Sequence, residues 1–290
     1  MTGLSVLAER EAGAGGRELR MFSPAVGREV SATLLTPPGW TPGDHGSHPV
    51  LYFLHGSSDE HPTLVARTPI AELAARTNAL VVLPEGGRMG FYTDWRVPDR
   101  SGTIPAWERF HVTELLGLLS NRYGASETRM VAGISMGGYG ALRYAMRHPS
   151  LFRAAASLSG FLHLTRPGMA ALLGLLSVRE GMRPGRVWGP RRRCFENWAA
   201  NDPYVNAARL TGTRVYLAAG DGTRVPGEEF VAGMGLVERY SRAMTEDLAT
   251  RLTELGGDVT TNLSPGTHFW TTWHRTVGEM WPFVREVLGT

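Results

Sequence analysis

Lysine is absent: all 30 basic residues in this chain of 290 are arginine. That excludes Schiff-base chemistry and a lysine nucleophile, and it reflects codon composition more than physics. Cysteine is nearly absent as well. Cys194 stands alone, so an internal disulfide and any multi-cysteine metal site are excluded. It follows three arginines in "GPRRRC", a setting that lowers a thiol pKa, but no partner base accompanies it and it reads as structural. The remaining arginines are scattered among 27 acidic residues, for a net charge of +3. Without a binding motif the arginine run is read as a solvated loop, and no nucleic-acid partner is expected. No apolar run reaches the ~18 residues of a membrane span. The start, "MTGLSVLAEREAGAGG", lacks the basic opening and long apolar core of a signal peptide, so the expected location is cytoplasmic.

What is present is an alternation of apolar strand patterns with helical ones. Hydrophobic residues make up 42% of the chain, enough for a sizeable core. The patterns predict strands at 30–36, 50–54, 79–83, 129–132, 154–158, 214–219 and 258–263. Helices are expected at 62–76, 107–123, 137–148 and 228–255, with a last one after Thr271. This order implies an α/β fold, a mainly parallel central sheet with helices on both faces. Residues 161–210, rich in Gly, Pro, Arg and Trp, interrupt the alternation and are a candidate pocket wall, cap or lid. No repeat or linker divides the chain. A single domain spanning 1–290 is expected, with residues 1–20 as a poorly ordered extension.

Gly133-Ile134-Ser135-Met136-Gly137 fits G-x-S-x-G, with "RMVA" before it and "GYGALRYAM" after it. Between a strand and a helix that pentapeptide makes a sharp turn that lifts the serine hydroxyl above the sheet. The glycines keep side chains out of the bend, and the helix start points its amides at developing negative charge. Ser135 is therefore the expected nucleophile. A serine needs a base, and of the nine histidines only His268 and His274 come late enough in the chain. His268, in "NLSPGTHFW", falls in a loop after the last predicted strand, whereas His274 falls within a helix, so His268 is preferred. Two acids compete. Asp221 directly follows a strand, the usual position, although "GDGT" is also an ordinary turn in which Asp bonds its own backbone. Glu238 borders the apolar stripe Phe230, Met234, Val237, Met244 and Leu248 on the next helix.

These segments together resemble a known family. From "SPAVGREV" through "PVLYFLHG", "VVLPEGGRMGFYTDW", "WERFHVTELLGLL", "GISMGGYGAL", "SLSG", "VWGP", "NDPYVN" and "GDGT" to "PGTHFWTTW", the chain is similar to the mycolyltransferase (antigen 85) branch of the esterase D-like α/β-hydrolases. That resemblance implies the α/β-hydrolase fold and a serine acyl-transfer mechanism without a cofactor or metal. It shifts the expected acid from Asp221 to Glu238, because the family carries Asn at the position of Asp221 and a Glu in a Leu-Glu pair on the following helix. It also implies an oxyanion hole from the backbone amides of Met136 and Ser57, with His55 shaping that loop, and His55, Ser58 and Trp270 as substrate contacts. Three departures qualify it. His55-Gly56-Ser57-Ser58 replaces the family's Asp-Gly-Leu-Arg, Ala219 replaces a reactive cysteine, and no signal peptide is visible.

The resulting expectation is a serine acyltransferase or carboxylesterase acting on an ester or thioester, with an intracellular small-molecule or carrier-bound acyl group as its substrate. The alternatives are a secreted-type mycolyl/trehalose acyltransferase and a non-catalytic binding paralogue. Nothing in the sequence indicates the oligomeric state.

Overall fold

The computed structural model describes every residue except 1, 2, 14, 42 and 44–46. Its centre is a nine-stranded sheet in the order β1-β2-β3-β5-β4-β6-β7-β8-β9. β1 (Ser5–Glu11), β2 (Gly16–Ser23) and β3 (Arg28–Leu35) form an antiparallel edge, and β3 pairs antiparallel with β5 (Leu80–Pro84). β5, β4 (His48–Leu54), β6 (Ala125–Ile134), β7 (Ala154–Leu158), β8 (Arg214–Gly220) and β9 (Val259–Ser264) are parallel. The inner strands read as unbroken apolar runs, such as "LVVLP" and "AAASL", because both of their faces are covered.

Along β4 the side chains alternate between two cores, as the two-residue period of a strand requires. Val50, Tyr52 and Leu54 face the layer holding α5 (Met136–Arg147) and α8 (Met234–Glu254). The helix at 107–122 joins them there, starting as α3 (Trp107–Arg109), widening into a π turn (Phe110–Leu115) and ending as α4 (Leu116–Arg122). Leu51 and Phe53 face the opposite layer, which holds α1 (His61–Arg67), α2 (Ile70–Ala74) and α9 (Trp270–Leu288). Trp273, Val277, Met280 and Val284 seat α9 on the sheet, each burial contributing roughly 1.5–3 kcal/mol.

The departures from expectation have local causes. Residues 62–76 split into α1 and α2 because Pro69 disfavours helical backbone at Thr68, which is extended at φ −127° and ψ 162°. α8 begins at Met234, after Gly233 in a left-handed conformation, instead of near 228, and Phe230 lies outside the stripe with 74% exposure. Most of residues 1–20 is not a loose extension: β1 and β2 pair along their length, and Leu19 and Met21 are fully buried. Residues 161–210 contain α6 (Met169–Arg179), α7 (Phe195–Ala200) and a short 3-10 turn at Ala207–Leu210.

Candidate active site

β6 ends at Ile134 and α5 starts at Met136, so Ser135 has to make the whole change of direction. It does so at φ 51° and ψ −117°, a conformation that costs a non-glycine residue about 1–3 kcal/mol. Two neighbouring glycines permit the bend. A Cβ on Gly137 would lie 2.1 Å from the Leu54 carbonyl oxygen, and one on Gly133 would lie 2.4 Å from the Gly137 backbone. The Ser135 N–H is anchored to the Leu158 carbonyl at 2.8 Å on β7.

The loop after β9 brings His268 over this elbow. Ser135 Oγ and His268 Nε2 are 2.8 Å apart, and His268 Nδ1 lies 2.6 Å from Glu238 Oε2. Glu238 is fully buried on α8, and its other oxygen accepts the Gly220 N–H at 2.6 Å and the Ser159 hydroxyl at 2.7 Å. Phe161 stacks on the His268 ring at 5.8 Å, and the edge of Trp273 closes on it at 5.1 Å. The Trp273 indole N–H also donates to Ser159 Oγ at 3.2 Å. Buried Glu228 ties down the loop itself by accepting from the Thr267 N–H at 3.2 Å, the Thr267 hydroxyl and the Thr272 hydroxyl.

Asp221 is not brought to His268. It caps its own turn, accepting from the Thr223 N–H at 2.8 Å, the Thr223 hydroxyl and, at 3.4 Å, the Gly266 N–H. Slight burial raises its pKa, but these bonds outweigh that and hold it below the ordinary carboxylate value. His274 lies on the exposed side of α9, near the Arg67 carbonyl.

A cavity of about 180 Å³ opens beside Ser135. Its walls are largely apolar, with Met89, Phe161, Leu176, Met234, Val237 and Trp270 among them. Leu176, Arg179 and Glu180 come from the 161–210 excursion. Ser57, Ser58 and Asp59 supply the edge formed by the loop after β4. The Ser58 hydroxyl is already donated to Glu180, which also binds Arg88 at 2.7 Å.

His55 does not line this cavity, contrary to its expected place among the substrate contacts. Its Nδ1–H donates to the Gly56 carbonyl at 2.7 Å, its Nε2 accepts the Gly86 N–H at 2.8 Å, and burial lowers its pKa to about 4. It is a neutral strut of the loop. Asp59, Ser159, Glu228 and Trp273 were not among the residues the sequence singled out. Two of them lay in segments quoted for the resemblance, Ser159 in "SLSG" and Trp273 in "PGTHFWTTW".

This arrangement is the equipment of acyl transfer: a strained serine, an imidazole on its oxygen and a buried carboxylate on the far ring nitrogen. The family described as "Putative esterase" matches residues 23–284. The chain belongs to the esterase family. Within it the chain is antigen 85-like, being 31% identical over 93% of its length, and 85% of the relative's, to the diacylglycerol acyltransferase/mycolyltransferase Ag85B of Mycolicibacterium smegmatis. It is 29% identical to Ag85A of Mycobacterium tuberculosis over 93% of this chain and 81% of that one. Among solved structures it resembles MPT51 (FbpC1) of Mycobacterium tuberculosis, with a TM-score of 0.77, 24% identity and coverage of 92% of this chain and 96% of that one. An S-formylglutathione hydrolase from Agrobacterium tumefaciens shares the fold at TM-score 0.72 and 16% identity, over 98% and 99% of the two chains. The fold is that of the α/β-hydrolase esterases, and the protein is an enzyme of the ester hydrolase and acyltransferase class. No helix among the described residues is long and apolar enough to cross a membrane. Neither the fold nor these relatives supports the expected cytoplasmic location.

Proposed function

We propose that the protein is a serine acyltransferase that forms an acyl-Ser135 intermediate from an ester or thioester. The observation that carries the proposal is the unbroken chain of hydrogen bonds from Ser135 Oγ through His268 to Glu238. In this reading His268 Nε2 takes the Ser135 proton as Oγ attacks the carbonyl carbon, and Glu238 stabilises the resulting imidazolium. The oxyanion is held by the Met136 amide at the start of α5 and by the Ser57 amide. Ser57 is favoured because the neighbouring Ser58 N–H is already donated to the Arg88 carbonyl at 2.9 Å. His268 returns its proton to the leaving group, and an alcohol or water then releases the acyl group by the reverse steps.

The apolar walls fit an acyl chain. A cavity of about 180 Å³ is smaller than those that enclose drug-sized ligands, roughly 300–1,000 Å³. It accommodates the reacting ester and the first carbons of the chain, and a longer acyl group runs out past α6 and α8. The names of the relatives, diacylglycerol acyltransferase/mycolyltransferase, support the mycolyl-acyltransferase alternative better than an intracellular acyl substrate, so the reading is not restricted to an intracellular donor. A binding-only role is disfavoured by the hydrogen-bonded serine and histidine. The test is a screen of ester donors of increasing acyl length, read by intact mass. A stable or transient acyl adduct on Ser135 supports the reading, and turnover by the Ser135→Ala variant contradicts it.

A further inference from the structure

Among the described residues the ionisable side chains on the cavity wall have partners, with the exception of Asp59. Ser135 and His268 hold each other, Ser58 donates to Glu180, and Glu180 pairs with Arg88 and lies 4.0 Å from Arg179. Asp59 is the only carboxyl in the lining that receives no hydrogen bond and forms no ion pair at contact distance among the described residues. It sits close to the reacting centre. A Cβ on the intervening Gly56 would lie 3.0 Å from Asp59 Oδ2 and 3.5 Å from Ser135 Cβ.

An unpaired carboxyl in a largely apolar cleft is costly. Burial pushes its pKa up to about 6, against the opposing charges of His268, Arg88 and Arg67 and with the help of Glu180. It is also badly placed for an acyl chain, which the apolar walls accommodate, and its charge opposes an oxyanion forming nearby. The other molecule that enters the cleft during turnover is the acyl acceptor. A donor group on the acceptor would pair with the carboxylate and neutralise its effect only while that acceptor is bound, which favours transfer over hydrolysis.

We infer that Asp59 selects the acceptor, taking a hydrogen bond from a second donor, a hydroxyl or an ammonium, adjacent to the hydroxyl that attacks the acyl-enzyme. The inference rests on the acyl-Ser135 reading. The acceptor oxygen bonds to the acyl carbon while its proton passes to His268 Nε2. The C–Oγ bond then breaks, and His268 returns the proton to Ser135. The acceptor is thus a vicinal diol or an amino alcohol, not a simple alcohol.

The test compares wild type with Asp59→Asn and Asp59→Ala, using p-nitrophenyl butyrate as donor and equal concentrations of glycerol, ethanolamine or 1-propanol as acceptors. The p-nitrophenolate burst reports whether each protein acylates, and mass spectrometry gives the ratio of ester to free acid. Wild type is expected to favour glycerol or ethanolamine over 1-propanol by about tenfold or more, the scale of a hydrogen bond to a charged group. A preference for glycerol identifies the second donor as a hydroxyl, and one for ethanolamine identifies it as an ammonium. Both variants are expected to lose the preference. In wild type the preference should also fade as pH drops through about 6. His268 serves transfer and hydrolysis alike, so a change in its activity cancels from the ratio. Glu180 lies below the ordinary carboxylate value, because the hydrogen bonds from the Ser58 hydroxyl and Arg88 outweigh the upward push of burial. A normal burst with no preference, or with a preference that survives in Asp59→Ala, overturns this inference alone. Absence of a burst in wild type overturns the Ser135 reading and this one with it.

Discussion

Replacing Glu238 by Gln alters no more than an atom in volume, yet the geometry around it predicts a large kinetic effect. One carboxylate oxygen accepts from Gly220 N–H at 2.6 Å and Ser159 Oγ at 2.7 Å, and the other faces His268 Nδ1 at 2.6 Å. A glutamine must put its carbonyl oxygen on one side and its NH2 on the other. The Ser159 hydroxyl can rotate to accept, but the Gly220 amide cannot, so the carbonyl is committed to that side. The NH2 then donates to His268 Nδ1 and forces the proton onto Nε2, the nitrogen that has to receive the Ser135 proton. A wrong tautomer of this kind costs a serine triad on the order of 10⁴-fold in kcat, about 5 kcal/mol of transition-state stabilisation. The assay is single-turnover acylation by p-nitrophenyl butyrate, with thermal unfolding to show that the variant is folded, and Asp221→Asn as the control. Asp221 serves only its own turn and the adjacent Gly266 amide, so that control should stay within a few-fold of wild type. If Asp221→Asn collapses and Glu238→Gln acylates at nearly the wild-type rate, the tautomer argument is refuted.

Other residues give separable outcomes. Glu228→Ala removes the acceptor for the Thr267 and Thr272 donors, at about 1–3 kcal/mol for each buried group left unpaired. It should lower Tm and, by loosening the His268 loop, reduce kcat more than it raises KM. Glu108 is held at a pKa of about 2, because the His148 hydrogen bond and the Arg143 and Arg147 guanidiniums outweigh the upward push of burial. A carboxylate depressed from 4.5 to about 2 adds about 3 kcal/mol of stability that is fully present above pH 4.5 and is lost as pH falls through 2. Glu108→Gln should therefore lower Tm at pH 7 and flatten its acid dependence in that window. An unchanged acid slope would show that the network contributes little.

The legible parts of the molecule were those with local causes. The elbow could be read because G-x-S-x-G stands between an apolar strand run and a helical pattern, and the inner parallel strands could be read because burial on both faces makes them continuously apolar. The hairpin β1–β2 was missed because its charged residues alternate with few apolar ones, and its stability comes from pairing with β3. The carboxylate partner of His268 was ambiguous for a related reason. Asp221 has the expected place after β8, but the "GDGT" turn consumes its oxygens, while Glu238 looked like a border residue of an amphipathic helix. Glu238 lies 79 residues from Ser159 and 30 from His268, contacts no periodicity reports. The same holds for Glu228 and Thr267, 39 residues apart. Asp59 differs again, because what marks it is the absence of a partner, which only the folded cleft reveals.

The central claim is that Ser135 is an activated nucleophile, and a fluorophosphonate probe tests it most directly. Intact-mass analysis should show one probe per folded chain, mapped to Ser135 and absent from Ser135→Ala. Failure of the folded wild-type protein to label, or undiminished labelling of Ser135→Ala, would contradict the account.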